Sequence, residues 1–130
     1  MLVVFIFFDL YMEKKIISEI DYLLIEEVKA IRIKQSLSKA QLSSKLKLAG
    51  SFVGKVEDLS QRDKYSIRHL PILVQALRLK SIGELFPKTP SCDLIEITYD
   101  KVPKINKDGS QSKQFEEKII QIIPISKTKE

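Results

Sequence analysis

Residues 36–59 read SLSKAQLSSKLKLAGSFVGKVEDL, and this stretch decides how the rest of the chain is understood. Ser38 can cap a helix, and Gln41 three residues on completes an S-x-x-Q box that satisfies two orphan N–H groups reciprocally. Leu42 and Leu46, with Ala40 close in, supply the buried face, which predicts a helix over 39–47. Leu48, Ala49 and Gly50 make a tight turn. Val53 and Val56 then lie on one face at i, i+3, which predicts a second short helix over 51–59. Positions 50, 51, 54 and 55 point away from the two valines. They are Gly50, Ser51, Gly54 and Lys55.

Upstream, Ile20, Leu24, Val28 and Ile31 recur at i, i+4, i+8 and i+11, the stripe of a helix ending near residue 36. Downstream, residues 58–66 are polar and loop-like. Pro71 suits the first turn of a fourth helix, where its missing N–H costs nothing. Leu73, Val74 and Leu77 face inward from it. Ser81 caps a short fifth helix with Ile82, Leu85 and Phe86 inward, and Pro87 and Pro90 end the helical region. The period then changes. LIEITY at 94–99 alternates, Asp108–Gly109 is a turn signal, and EEKIIQIIPI at 116–125 reads as a returning strand. Pro103 and Pro124 mark strand ends or an edge. A two-stranded hairpin alone is barely stable in water, so it must pack on the helices or on a second copy. The expected architecture is mainly α: a five-helix bundle with a C-terminal β-hairpin extension. The expected divisions are an apolar segment 1–11, a helical domain 12–90, and a hairpin and tail 91–130.

The chain has 130 residues, 44% apolar and 30% charged, which gives one globular domain with a short extension. One cysteine, Cys92, excludes a disulfide framework and an all-cysteine zinc site. One histidine, His69, argues against a His-rich metal centre. No glycine-rich phosphate loop, paired-carboxylate site or nucleophile constellation occurs, so neither an enzyme nor a metal or other cofactor is expected. The longest apolar run, residues 2–8, is too short to span a bilayer, and nothing basic precedes it as in a signal peptide. Residues 1–11 therefore read as standing apart from the working fold, with Met12 an alternative start. No membrane partner and a cytoplasmic location are expected. Net charge is +5, unevenly spread: residues 25–87 hold twelve Lys or Arg against six acids. An anionic partner should dock there.

Two short helices joined by a tight turn within a helical bundle spell helix-turn-helix. Residues 25–87 resemble the Cro/repressor-type family, also called the xenobiotic-response-element family. The resemblance rests on VKAIRIKQSLSKAQLSSKLKLAGSFVGKVEDL and YSIRHLPILVQALRLKSIGELFP, and covers about half the chain. It implies a five-helix, lambda-repressor-like fold and sequence-specific binding of double-stranded DNA by a transcriptional regulator, a repressor acting as a homodimer on an inverted repeat. Ser51 and Lys55 would read base edges, with Gly50 and Gly54 letting the backbone come close. Lys39, Arg62 and Lys64 are expected at phosphates, with Lys45, Lys47 and Arg68 as further candidates. The family usually has glutamine at position 39, glycine at 47 and a capping serine or threonine at 49, where this chain has lysine, lysine and alanine. Arg32 and Glu57 match an arginine and a glutamate that pair across the bundle in the family. Two other functions fit the same residues. One is an antitoxin whose C-terminal segment masks a toxin. The other is a protein-interaction module that keeps the fold without DNA binding. Phe52 is expected to pack at the rim of the junction between the second and third helices, Tyr65 to pack the loop onto the bundle, and His69 to be structural or on the surface.

Overall fold

A computed structural model describes residues 12–125. The segment 1–11 and the last five residues lie outside the described residues, and so does the expectation placed on that N-terminal segment. The chain divides into two compact units, one formed by residues 18–93 and one by residues 12–17 with 94–125.

The first unit is helical: α1 (Glu19–Lys34), α2 (Lys39–Lys45), α3 (Phe52–Glu57), α4 (His69–Ala76) and a 3₁₀ turn at Ile82–Leu85. Ser18 starts α1, its hydroxyl accepting from the Asp21 N–H at 3.1 Å. The buried stripe of α1 is Leu24, Ile25, Val28 and Arg32, whereas Ile20 in the first turn stays 49% exposed. In α2 the buried residues are Leu42 and Ser43, and Ala40 is exposed, so a serine occupies the face expected of the alanine. Val28, Leu42, Val53, Leu73, Leu77 and Leu85 are fully buried. Two contacts close the unit. Gln35 donates to the Leu77 carbonyl at 2.8 Å. The Glu19 carboxylate accepts the backbone N–H groups of Ser91 and Cys92, which hold its carboxyl below the usual carboxylate range.

The second unit is a sheet in the order β1 (Glu13–Ser18), β2 (Leu94–Ile105), β3 (Gln111–Pro124). Strands β2 and β3 run antiparallel, with Ile97 opposite Ile122 and Tyr99 opposite Ile119, and the register shifts between Thr98 and Tyr99 and again between Pro103 and Ile105. The turn is built from Asn106 to Ser110. Asn106 donates to the Ser110 carbonyl at 2.8 Å, and Gly109 takes φ +90°, a conformation open to glycine. In β2, Ile95, Ile97, Thr98 and Tyr99 are buried; in β3 no residue is.

These elements overturn the expectation of a mainly α chain built on a five-helix, lambda-repressor-like bundle. Over the described residues the chain is mixed α/β, about 36% helix and 28% strand, with four α-helices and a three-stranded antiparallel sheet. Two physical causes account for the difference. The expected fifth helix has four residues with Gly83 among them and Pro87 close behind, so it closes only as a 3₁₀ turn. The EKKIIS segment, which fell within the expected helical domain 12–90, forms a third strand instead. It supplies part of the support that a lone hairpin lacks.

Candidate nucleic-acid interface

Helix α3 has six residues, too few to persist alone in water. Three features hold it. Val53 and Val56 are buried on its inner face. Glu57, its last residue, receives Arg32 of α1 bidentately, Nε to Oε2 at 2.9 Å and Nη2 to Oε1 at 2.8 Å. The remaining guanidinium arm donates to the Leu37 carbonyl at 2.8 Å. The side chains are 9% and 2% exposed, so the pair is largely withdrawn from water and its donors and acceptors are matched.

The third feature is the start of the helix. Ala49 cannot cap it, and Ser51 at the cap position makes no side-chain bond. The cap comes instead from α2. The fully buried Ser43 hydroxyl accepts from the Val53 N–H at 3.0 Å and donates to the Lys39 carbonyl at 2.9 Å. One hydroxyl thus fixes the approach of α3 to α2. Sequence reasoning missed Ser43, though a signal was there: a serine on an apolar helix face, followed by a helix lacking its own capping residue.

The connection between α2 and α3 contains Lys47 at φ +58°, one of three left-handed residues that end helices here without glycine; Ser36 and Arg78 are the others. Leu48 donates to the Ser43 carbonyl at 3.1 Å, which closes the end of α2.

This framework places the predicted site residues as follows. Ser51 and Lys55, one turn apart, are exposed on the outer side of α3. Gly54 lies half-buried between them, and Gly50 is exposed just before. Lys39 is exposed at the first position of α2, and its Cδ lies 3.9 Å from where a Cβ on Gly54 would stand. Lys39, Gly54 and the outer face of α3 are therefore brought together, and the missing side chain at position 54 leaves room for the lysine stem. Arg62 and Lys64 lie exposed in the loop between α3 and α4. Lys64 stands 4.0 Å from Asp21 of α1, a weak surface pair that offsets part of its charge. Lys45 and Lys47 group elsewhere, lining a hollow with Arg78, Leu46, Ile72 and Ala76.

The loop is anchored by aromatics. Phe52, the first residue of α3, meets Tyr65 and His69 edge-on at centroid distances of 5.9 and 5.1 Å. His69 Nδ1 accepts the Ser66 N–H at 2.9 Å, and burial together with Arg68 pushes the imidazole pKa below its ordinary value. Burial raises the Tyr65 phenol, whose buried hydroxyl has no hydrogen-bond partner among the described residues.

Among the described residues no group of acidic, cysteine or histidine side chains could hold a metal ion, and no helix is long and apolar enough to cross a membrane. Comparisons of the chain with family models, with curated proteins and with solved structures find no match.

Proposed function

We propose that the helical unit binds double-stranded DNA, with α2 braced across the backbone and α3 presented to base edges in the major groove, and that the protein acts as a transcriptional repressor. The observation that carries this reading is a six-residue helix fixed at both ends, by the Ser43 cap and the Arg32–Glu57 pair, with Ser51 and Lys55 turned outward beside Lys39. A helix held this firmly and bearing small or cationic residues outward suits close approach to a polyanion. The resemblance of residues 25–87 to Cro/repressor-type helix-turn-helix proteins points the same way. Lys55 can reach guanine acceptors and Ser51 can bond either base type. Lys39 and Arg62 supply phosphate contacts, with Lys64 contributing less because of Asp21.

Two reading side chains distinguish too few base pairs, so the proposal includes a homodimer on an inverted repeat. A cytoplasmic site of action follows from the function. The test is fluorescence anisotropy with random-sequence duplex DNA, followed by selection of preferred sites. Binding should be micromolar at 50 mM salt and weaken steeply as salt rises. Lys55→Ala should cost about 1–3 kcal/mol on the selected site and relax preference at one base pair. Absence of binding to any duplex at low salt would sink the reading, and an equal loss on all sequences would demote Lys55 to a phosphate contact.

A further inference from the structure

The second unit carries a feature that reading helices do not explain. Strand β1 has six residues and β2 has twelve, so β1 can flank at most half of β2. Burial in β2 ends at Tyr99, and beyond it residues 100–115 are half-exposed or exposed throughout. The distal part of β2 and β3 is therefore a two-stranded ribbon closed by the Asn106–Ser110 turn. At about 3.3 Å per residue its five-residue stem beyond Asp100 reaches roughly 17 Å before the turn. Such a ribbon fits the major groove of a duplex.

Its chemistry is one-sided. At the base of the ribbon Lys101 stands opposite Glu117 and Val102 opposite Glu116, so the acids there offset the lysine; further out, between residues 103 and 115, stand Lys104, Lys107 and Lys113 against one acid, Asp108. The Asp108 carboxylate is turned into the hairpin, accepting from the Ser110 N–H at 2.9 Å and the Ser110 hydroxyl at 2.6 Å. Ile105 and Phe115 lie exposed among the lysines at 67% and 59%. Lysines on strands commonly guard an edge against pairing with another chain. Lys104 and Lys113, on the two strands of the ribbon, suit that role as well, but Lys107 in the turn does not. The edge most prone to pairing is the 119–123 stretch of β3, whose four isoleucines are each about 40% exposed, and it contains no lysine; Lys118 alone flanks it. The three lysines gather instead around the tip.

We infer that the tip of the β2–β3 ribbon is a second nucleic-acid contact, an arm whose Lys104, Lys107 and Lys113 bind duplex backbone phosphates while Ile105 and Phe115 lie against sugars. The inference rests on the reading of the chain as a DNA-binding protein. The arm adds affinity without sequence preference, because phosphate contacts carry no base information.

The experiment uses the full chain with Lys104, Lys107 and Lys113 changed together to glutamine, and a second variant with all three changed to arginine. Binding of a random 30-base-pair duplex is followed by anisotropy from 50 to 300 mM salt. Loss of two or three phosphate contacts should make the slope of log K against log salt shallower by about 2–3 and weaken all sequences alike, with arginine restoring the wild-type slope. Circular dichroism and a thermal melt confirm that each variant is folded. A wild-type slope in the glutamine variant overturns the arm alone. Wild-type protein that binds no duplex overturns the DNA reading and the arm with it. A glutamine variant that keeps its duplex slope but loses binding to phosphatidylserine-containing vesicles assigns the lysines to an anionic lipid surface and overturns the inference.

Discussion

The helical unit closes upon itself, whereas the sheet unit does not. In residues 18–93 the large aliphatic side chains at the centre are fully buried, the buried Arg32–Glu57 pair is matched donor for acceptor, and the two ends of the segment are tied through Glu19 to Ser91 and Cys92. In the sheet, β2 is buried along its first half, but β3 keeps Ile119, Ile120, Ile122 and Ile123 at about 40% exposure on an outer strand. The contrast teaches where specificity resides. Short helices that cannot stand alone are held by matched polar contacts, and such contacts tolerate little change. A strand with open faces has contacts left to make, so its residues are less constrained within one chain.

The largest test of that contrast is the buried pair. Arg32→Met or Glu57→Leu alone strands a buried charge and should cost about 3–5 kcal/mol in urea unfolding. Changing both should cost less than the sum of the two. Strict additivity would mean the pair is not what holds α3, and the two units would then differ less than their geometry suggests.

Truncation compares the units directly. Leu42→Ala, in a fully buried position, should cost about 2–5 kcal/mol, while Ile122→Ala on the open strand should cost well under about 2 kcal/mol. Equal losses would mean that β3 is covered, and sedimentation of the wild-type chain would then show association.

Removing one hydroxyl probes the cap. Ser43→Ala leaves the buried Val53 N–H without its acceptor and should cost about 1–2 kcal/mol. If affinity for DNA falls further than stability does, the cap sets the orientation of α3 and not merely its persistence.

The opposite sign is expected at Lys47. Its φ of +58° strains a residue with a Cβ, so Lys47→Gly should stabilise by about 0.5–1 kcal/mol. A loss of stability there would show that the lysine stem has a packing role in the hollow near Arg78.

The smallest effect is the pH dependence of His69. Its imidazole is disfavoured as a cation in the folded chain, so above the ordinary value of about 6.5 neither state binds the proton and nothing changes. As pH falls below that, the unfolded chain takes up a proton first and stability declines until the folded imidazole also titrates. His69→Gln should remove this part of the pH dependence. An unchanged profile in the variant would move the acid sensitivity to the carboxylates Glu19 and Asp108.

Much of the helical unit was legible because its signals are local. The Ser38–Gln41 capping box forms as written, with Gln41 donating its N–H to Ser38 at 3.0 Å and accepting from the Ser38 N–H at 2.7 Å. Val53 and Val56 face inward, leaving Ser51 and Lys55 outward, because a helical period of 3.6 fixes the face once two apolar positions are known. The turn at Asp108–Gly109 also stands where expected, although both strands run longer than the alternating segments that announced them.

What the sequence by itself determined was therefore each short element and its inner face: caps, turns and apolar spacing act between residues a few positions apart. Only the tertiary structure decided that residues 13–18 are a strand paired with β2 some eighty residues on and that Ser43 caps a neighbouring helix, while the Arg32–Glu57 pair was expected from the family resemblance and not from local pattern. Those outcomes depend on which segments meet in space. Local propensity is silent there, because an EKKIIS segment, a serine on a helix face and a charge at a helix end each have several stable uses until a partner fixes one.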